Sequence, residues 1–392
     1  MKNVFIAGAN RTAIGKFGGS LMDWTAADMG VAVAAEAVKR AGLTPDKINE
    51  VIFGNGRQAG GGPNVARQIG YRAGIPETVP AYTVNQACGS GLRSIILAYN
   101  EIILGNSHVI VAGGTESMSR VPYYAEGARW GARLGNVQLT DGMYKDGFLC
   151  PLSGLVMGET AEKLADQYRI NREEQDRYAL RSQQRAEAAR TEGRFESEIT
   201  PLKLKTKKGE IEFKTDEHIF AGATIEKLTK LSPVFSKTGT VTAGNASGIT
   251  DGAAALVVVS EEIVNREHVT PQARIIDYTV AGVDPSIMGI GPVPAVKQLL
   301  ERQKLSLDKI DLVELNEAFA AQVLACDREL HFDQDRLNVN GGAIALGHPI
   351  GCTGTRIVVT LINELHRRNA KLGLATLCIS GGMGIAMLIE RV

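Results

Sequence analysis

The chain is poor in cysteine: five in 392 residues (Cys88, Cys150, Cys326, Cys352 and Cys378), odd in number, scattered, and never in a C-x-x-C pair. That argues against a disulfide framework or a zinc site and implies a reducing, cytoplasmic compartment. Net charge is also missing, since 43 basic residues balance 43 acidic ones. Without a global field, nucleic acid and anionic membranes are not expected partners, although a local basic patch at a ligand phosphate is compatible with the balance. Charges or glycines interrupt every apolar run short of the roughly 20 residues a membrane helix needs. No charged leader and apolar segment precede the strand-like Val4-Phe5-Ile6-Ala7, so no secretion signal is read. No strand is followed by Gly-x-Gly-x-x-Gly and an acidic partner, which sets aside a nicotinamide dehydrogenase.

What is present is a globular composition, 44% apolar and 22% charged, long enough for two or three packed units. Periodicity predicts helices over Val31 to Ala41 and Leu92 to Leu104, and strands over Glu50 to Phe53, Ala81 to Asn85 and His108 to Ala112. The second half repeats this with strands over Leu312 to Leu315, Leu337 to Asn340 and Leu374 to Ile379, and a helix over Ile357 to Leu365. Such alternation predicts an α/β fold with a largely parallel sheet covered on both faces.

The repetition extends to letters. Leu43 to Val51 and Leu305 to Val313 share a nine-residue frame with five identities, each after a helical pattern. Val84-Asn85 answers Val339-Asn340 in the same way. An internal duplication of two similar domains, packed face to face around a cleft, is the expectation. Between them, Ser119 to Gly248 is charged and polar and reads as an inserted subdomain, with helices over Ala161 to Tyr168 and Glu173 to Glu192. Asn171 with Glu174 marks a helix start and Gly193 a stop. The basic run Lys205, Lys207 and Lys208 reads as a solvated hairpin flank.

Four residues stand out chemically. Cys88, in Asn85-Gln86-Ala87-Cys88-Gly89-Ser90-Gly91, follows a strand and opens a helix, where free N–H groups and the helix dipole favour a thiolate. His348 lies in the turn Gly347-His348-Pro349-Ile350-Gly351, and Cys378 ends a strand before Gly381-Gly382. Asn316 follows a strand and precedes a helix, so a capping role competes with a chemical one. Taken singly, either cysteine reads equally as a buried core residue and His348 as a turn residue. All four are expected at carboxyl ends of parallel strands, the edge where open α/β sheets bind ligands.

With these motifs in place the chain resembles the thiolases over nearly its whole length. The likeness runs through the Cys88 turn, Ala112 to Ser119, Gly239 to Ser247, Asn316 to Gln322, and Gly341 to Pro349. It implies two βαβαβαββ halves layered α/β/α/β/α with an inserted loop subdomain. The halves would be 1–118 plus 249–270, and 271–392; residues 119–248 would be the coenzyme A-binding insertion. It further implies reversible Claisen condensation of two acetyl-CoA to acetoacetyl-CoA plus CoA, ping-pong through acetyl-Cys88. By resemblance His348 deprotonates Cys88, Cys378 is the second acid/base, Asn316 holds an oxyanion water, and the Cys88 and Gly381 N–H groups form the other oxyanion site. Ser247, Ala243, Gly248, Met157, Met288, Ala318, Phe319 and Phe235 are the implied CoA and acyl contacts. The resemblance implies no metal or cofactor, acyl-CoA thioesters as the small-molecule partners, and a homodimer or homotetramer.

The chain departs from the family pattern at several positions. Val156 stands where short-chain members often have histidine, leaving acyl preference open. Ser380 replaces a glycine, which would matter if positive φ were needed there. Phe220 replaces an arginine, so stacking would hold the nucleotide end of CoA. Cys352 and Thr353, in place of alanine and serine, are assigned no role. The competing readings are a thiolase of broader chain length, a decarboxylating ketosynthase, against which Cys378 argues, and a non-catalytic acyl-CoA-binding homologue.

Overall fold

The computed structural model describes residues 2–207 and 209–392. The chain begins β1 (Val4–Arg11), β2 (Gly15–Lys16), α1 (Ala26–Arg40), β3 (Glu50–Gly54), α2 (Val65–Arg72), β4 (Ala81–Val84), α3 (Ser90–Leu104) and β5 (Val109–Ser117). It then leaves this half through β6 (Tyr123–Tyr124), β7 (Thr140–Asp141), α4 (Met157–Tyr168), α5 (Arg172–Thr191), β8 (Leu202–Thr206), β9 (Gly209–Phe213) and α6 (Ile225–Thr229). It returns as β10 (Thr250–Ser260) and α7 (Glu261–Arg266). The rest is β11 (Ala273–Gly282), α8 (Pro292–Gln303), β12 (Leu312–Leu315), α9 (Ala320–Leu330), α10 (Ala343–Leu346), α11 (Ile350–Arg367), β13 (Leu372–Ile379) and β14 (Met383–Arg391).

Side-chain alternation shows how the layers form. Along β10, Ala253, Ala255, Val257 and Val259 join Val33, Ala34 and Ala37 of α1, while Ala254, Leu256 and Val258 join Leu92, Ile95 and Ile96 of α3 and Ile357 and Leu361 of α11. In the other half, Ile385, Met387 and Ile389 of β14 face α3 and α11, and Ala386 and Leu388 face Val296 and Leu299 of α8. Each strand is apolar on both faces because each is covered on both. The order is therefore helices, sheet, the pair α3 and α11, sheet, helices, which is the α/β/α/β/α layering. The duplicated frame behaves alike in both copies: a 3-10 turn, Pro45–Lys47 or Leu307–Lys309, feeds a strand.

Three expectations are corrected. The halves share one sheet, ordered β12-β13-β14-β11-β1-β10-β5-β3-β4 with β2 on β10, and β1 joins β11 through Phe5↔Arg274 and Ile6↔Ala273. They are thus joined edge to edge as well as across the middle layer. The sheet is also mixed: only β3 with β4 and β5, and β12 with β13, are parallel. A parallel crossover needs a dozen or more residues, and Ser380-Gly381-Gly382 between β13 and β14 is far too short. Finally, Leu337 to Asn340 makes only isolated bridges, Val313↔Leu337 and Val339↔Gly341. Asn338 turns left-handed at φ 46, and its side chain replaces the ladder by accepting from Leu315 N–H at 2.9 Å and donating to Leu315 O at 2.8 Å. His348 therefore lies in the turn between α10 and α11, away from any strand end.

In the inserted segment, Asn171 and Glu174 form a capping box on α5, and Gly193, at φ 72, follows its end. Lys205 and Lys207 are exposed on the β8–β9 hairpin, and Lys208 lies outside the described residues. Among the described residues no helix is long and apolar enough to cross a membrane.

Candidate active site

The turn after β4 is wound tightly by its own polar groups. Asn85 Oδ1 accepts the Ala87 N–H at 3.0 Å; Ser90 Oγ accepts from Gln86 N–H at 2.9 Å and donates to Ala87 O at 2.7 Å. Ala87 is held at φ 45, a left-handed conformation that costs a non-glycine residue roughly 1–2 kcal/mol. The consequence is a half-buried Cys88 just ahead of α3, at the positive end of that helix's dipole. Burial pushes the Cys88 thiol up; the Ser380 N–H and the Arg57 charge pull it back down.

The first turn of α11 meets that of α3. A Cβ on Gly91 would lie 2.8 Å from Gly351 O and Thr355 N, and one on Gly354 only 2.3 Å from Leu92 N. Bare glycines thus let the helices touch at their positive ends. Glu116, buried at the end of β5, ties the crossing together: it accepts from Asn55 Nδ2 and from the backbone N–H groups of Gly56, Arg57 and Gly351 at 2.7–3.0 Å.

His348 enters from this turn. Its Nδ1 is 2.6 Å from Thr353 Oγ1, and that hydroxyl donates its proton to Pro349 O at 3.0 Å. With one proton already committed, Thr353 accepts from Nδ1–H, which leaves Nε2 as the bare lone pair. Nε2 is buried with no protein partner. Burial, with the Arg356 and Arg57 charges, drives the His348 pKa down to about 3, so the ring is neutral at physiological pH and its Nε2 lone pair is open.

Cys88, His348 and Cys378 line one cavity of ≈400 Å³. Ser247, Ala243, Gly248, Met157, Met288, Ala318, Phe319 and Phe235 line it too. Its wall is apolar: Cys378 packs with Met288, Ala318, Phe319, Met157 and Phe235, whose ring meets Phe319 edge-on at 6.4 Å. Burial, then the Cys88 charge, raises the Cys378 thiol well above its ordinary value, so it holds its proton until a base-like leaving group takes it. Asn316 and Gly381 do not line this cavity. Asn316 is buried with neither amide atom partnered in the protein, and Phe319, not Asn316, is the cap of α9. Gly381, at φ 88, lines an adjoining ≈550 Å³ pocket with Asn85, Cys150 and Ser380.

The departures resolve in part. Ser380 is not in the left-handed region, so its side chain strains nothing, and its N–H points at Cys88. Val156 lines the cavity at the start of α4. Phe220 is exposed, under Lys227 Nζ at 5.2 Å. Sequence reasoning missed four residues at the site: Thr353, Glu116, His218 and Arg57. His218 lines the cavity, held by Nδ1 to Ala345 O at 3.0 Å, and burial lowers its pKa. Glu116 lies inside a segment whose letters resemble the family, but nothing in its spacing showed what it ties. Among the described residues no cluster of three or more metal-ligating side chains occurs.

Comparison with known proteins agrees with this geometry. Family models for the thiolase N-terminal and C-terminal domains match residues 4–262 and 269–391. The chain is 52% identical, over all of both chains, to an acetyl-CoA acetyltransferase of Escherichia coli K12. It superposes on the acetyl-CoA acetyltransferase of Bacillus anthracis with a TM-score of 0.98 and 48% identity, covering 100% of this chain and 99% of that one. On human mitochondrial 3-ketoacyl-CoA thiolase in complex with CoA the TM-score is 0.95 and identity 46%, covering 100% and 98%. A duplicated layered fold, two cysteines and a histidine lining one cavity, and these full-length matches lead to one family: the chain belongs to the thiolases.

Proposed function

We propose that the protein is an acetyl-CoA C-acetyltransferase, joining two acetyl-CoA into acetoacetyl-CoA and CoA, and reversing that reaction. The observation that carries this is the single cavity holding two thiols and an imidazole with an unpartnered Nε2. His348 Nε2 takes the Cys88 proton, and the thiolate adds to the thioester carbonyl of the first acetyl-CoA. The oxyanion so formed takes the Cys88 N–H and, from the adjoining pocket that meets this cavity at Ser380, the Gly381 N–H; losing one such donor typically costs about 3 kcal/mol. Cys378 protonates the departing CoA and is left as a thiolate, which then removes a proton from the methyl group of the second acetyl-CoA. The enolate oxygen is held by His348 Nε2–H, and Asn316, buried behind the cavity lining, reaches it only through a water. Its carbon attacks acetyl-Cys88, the carbon–sulfur bond breaks, and Cys88 regains its proton from His348.

The small-residue run Ala243 to Gly248 admits the pantetheine arm, and the full-length likeness to curated acetyl-CoA acetyltransferases supports the acetyl preference. The 46% identity to a 3-ketoacyl-CoA thiolase keeps a broader chain length as the second reading. We divide the chain into 1–118 plus 249–270, an inserted 119–248, and 271–392. Trp130 and Leu134, 88% and 99% exposed on that insertion, support assembly into a homodimer or homotetramer. Five free thiols support a cytoplasmic setting. Exposure of the protein to acetyl-CoA alone, followed by mass spectrometry, is expected to add one acetyl group at Cys88; an unmodified Cys88 overturns the proposal. A chain-length series of 3-ketoacyl-CoA then separates the two readings.

A further inference from the structure

A second imidazole opens on the catalytic cavity, and the reaction above gives it nothing to do. His218 stands on the inserted segment with its Nδ1 3.0 Å from Ala345 O. A carbonyl oxygen only accepts, so Nδ1 carries the proton and Nε2 is left with a bare lone pair. Burial, and after it the Lys16 charge, lower the His218 pKa, so this neutral form holds at physiological pH. Among the described residues no protein group bonds to Nε2. That nitrogen lies over Gly248, where a Cβ would fall 2.0 Å from it, and only the bare glycine leaves the lone pair uncovered. Gly248 is itself fixed, because its carbonyl accepts the His348 N–H at 3.0 Å. Of the other polar side chains here, Thr242 Oγ1 already accepts the Gly244 N–H at 3.2 Å, and Ser247 brings a hydroxyl to the cavity wall. An acceptor therefore faces the small-residue run Ala243 to Gly248, which admits the arm of an acyl-CoA thioester. That arm carries two secondary amides, and a buried amide N–H left without an acceptor is costly.

We infer that His218 is a specificity-determining residue whose Nε2 accepts a hydrogen bond from an amide N–H of the pantetheine arm. The inference rests on the thiolase reading of the same cavity. The two imidazoles then divide the work: Nε2 of His348 moves the Cys88 proton, and Nε2 of His218 holds the arm on which the thioester arrives. The Ser247 hydroxyl is free to donate to an amide carbonyl, which His218 in this form cannot do. Ala345 lies three residues before His348, so the competing role for His218 is a prop for that turn. A prop would serve every thioester alike, whereas an amide acceptor serves only those that carry an amide.

The test compares the rate of Cys88 acetylation, followed by mass spectrometry, with S-acetylpantetheine and with S-butyl thioacetate, which has no amide. His218→Asn keeps a donor for Ala345 O but is too short to place an acceptor where Nε2 stands. It is expected to slow acetylation by S-acetylpantetheine at least about fivefold more than acetylation by S-butyl thioacetate, the size of one lost hydrogen bond. His218→Gln, which returns an acceptor to that place, is expected to lie between His218→Asn and the wild type. An equal loss on both thioesters, or no loss on either, overturns the inference. So does a CoA complex of the wild type in which both amide N–H groups bond elsewhere, a result independent of how well the variants fold. Acetylation of wild-type Cys88 by acetyl-CoA in the same preparation distinguishes these failures from failure of the parent reading.

Discussion

At the scale of single residues, one hydroxyl decides which nitrogen of His348 can act. Thr353 Oγ1 gives its proton to Pro349 O and therefore accepts from Nδ1, turning the basic nitrogen toward the cavity. Thr353→Val keeps the shape but removes the acceptor. It is expected to lower kcat at least about tenfold, within the range general-base catalysis supplies, with little change in KM. Thr353→Ser is expected to restore most of the rate, and steady-state kinetics on acetoacetyl-CoA would check both. A Thr353→Val enzyme as fast as Thr353→Ser would mean that something else holds the ring. The sequence showed Cys88, His348 and Cys378 through the turns around them. It could not show Thr353, whose letter reads as an ordinary helix residue until its distance to His348 is known.

At the scale of elements, the site depends on two helices whose N-termini cross. Their dipoles point the same way chemically, toward the sulfur of Cys88 and the turn of His348, which neither helix does alone. The contact is backbone against backbone, so the smallest side chain is already too large. Gly354→Ala puts a methyl 2.3 Å from Leu92 N and must push α3 away. Overpacking of this kind costs about 1–3 kcal/mol. We expect a lower denaturation midpoint together with slower alkylation of Cys88 by iodoacetamide; an unchanged alkylation rate would show that the crossing does not set thiol reactivity. Helices and strands of this region were legible from periodicity, as was the α5 start at Asn171. The strand expected at Leu337 to Asn340 was not, because Asn338 satisfies Leu315 with its side chain and so needs no ladder.

At the scale of the whole molecule, a buried cation fastens the insertion to the first strand. Arg11 Nε reaches Glu198 at 2.6 Å, and Nη1 and Nη2 grip Asp216 at 2.7 and 3.0 Å, all three side chains being almost wholly buried. Glu198 also accepts from Thr360 of α11 at 3.2 Å. Removing one partner of such a network leaves uncompensated buried charge and typically costs about 3–5 kcal/mol. Arg11→Met should therefore lower stability by that order in urea denaturation. It should also open the β8–β9 hairpin to limited proteolysis before the rest of the chain unfolds. Simultaneous loss of the whole fold, with no early cleavage there, would contradict this local role.

The amino-acid sequence by itself determined the duplication, the insertion and the family, and pointed through glycine-rich turns to the residues proposed for the chemistry. These are local or repeated signals, carried by spacing alone. Only the tertiary structure decided that the sheet is mixed and continuous, that His348 presents Nε2, and that Arg57 lines the cavity with Cys88, His348 and Cys378. Those outcomes depend on which distant groups come within hydrogen-bond reach. A positive charge in a loop looks the same in sequence whether water, a carboxylate or nothing in the protein lies beside it.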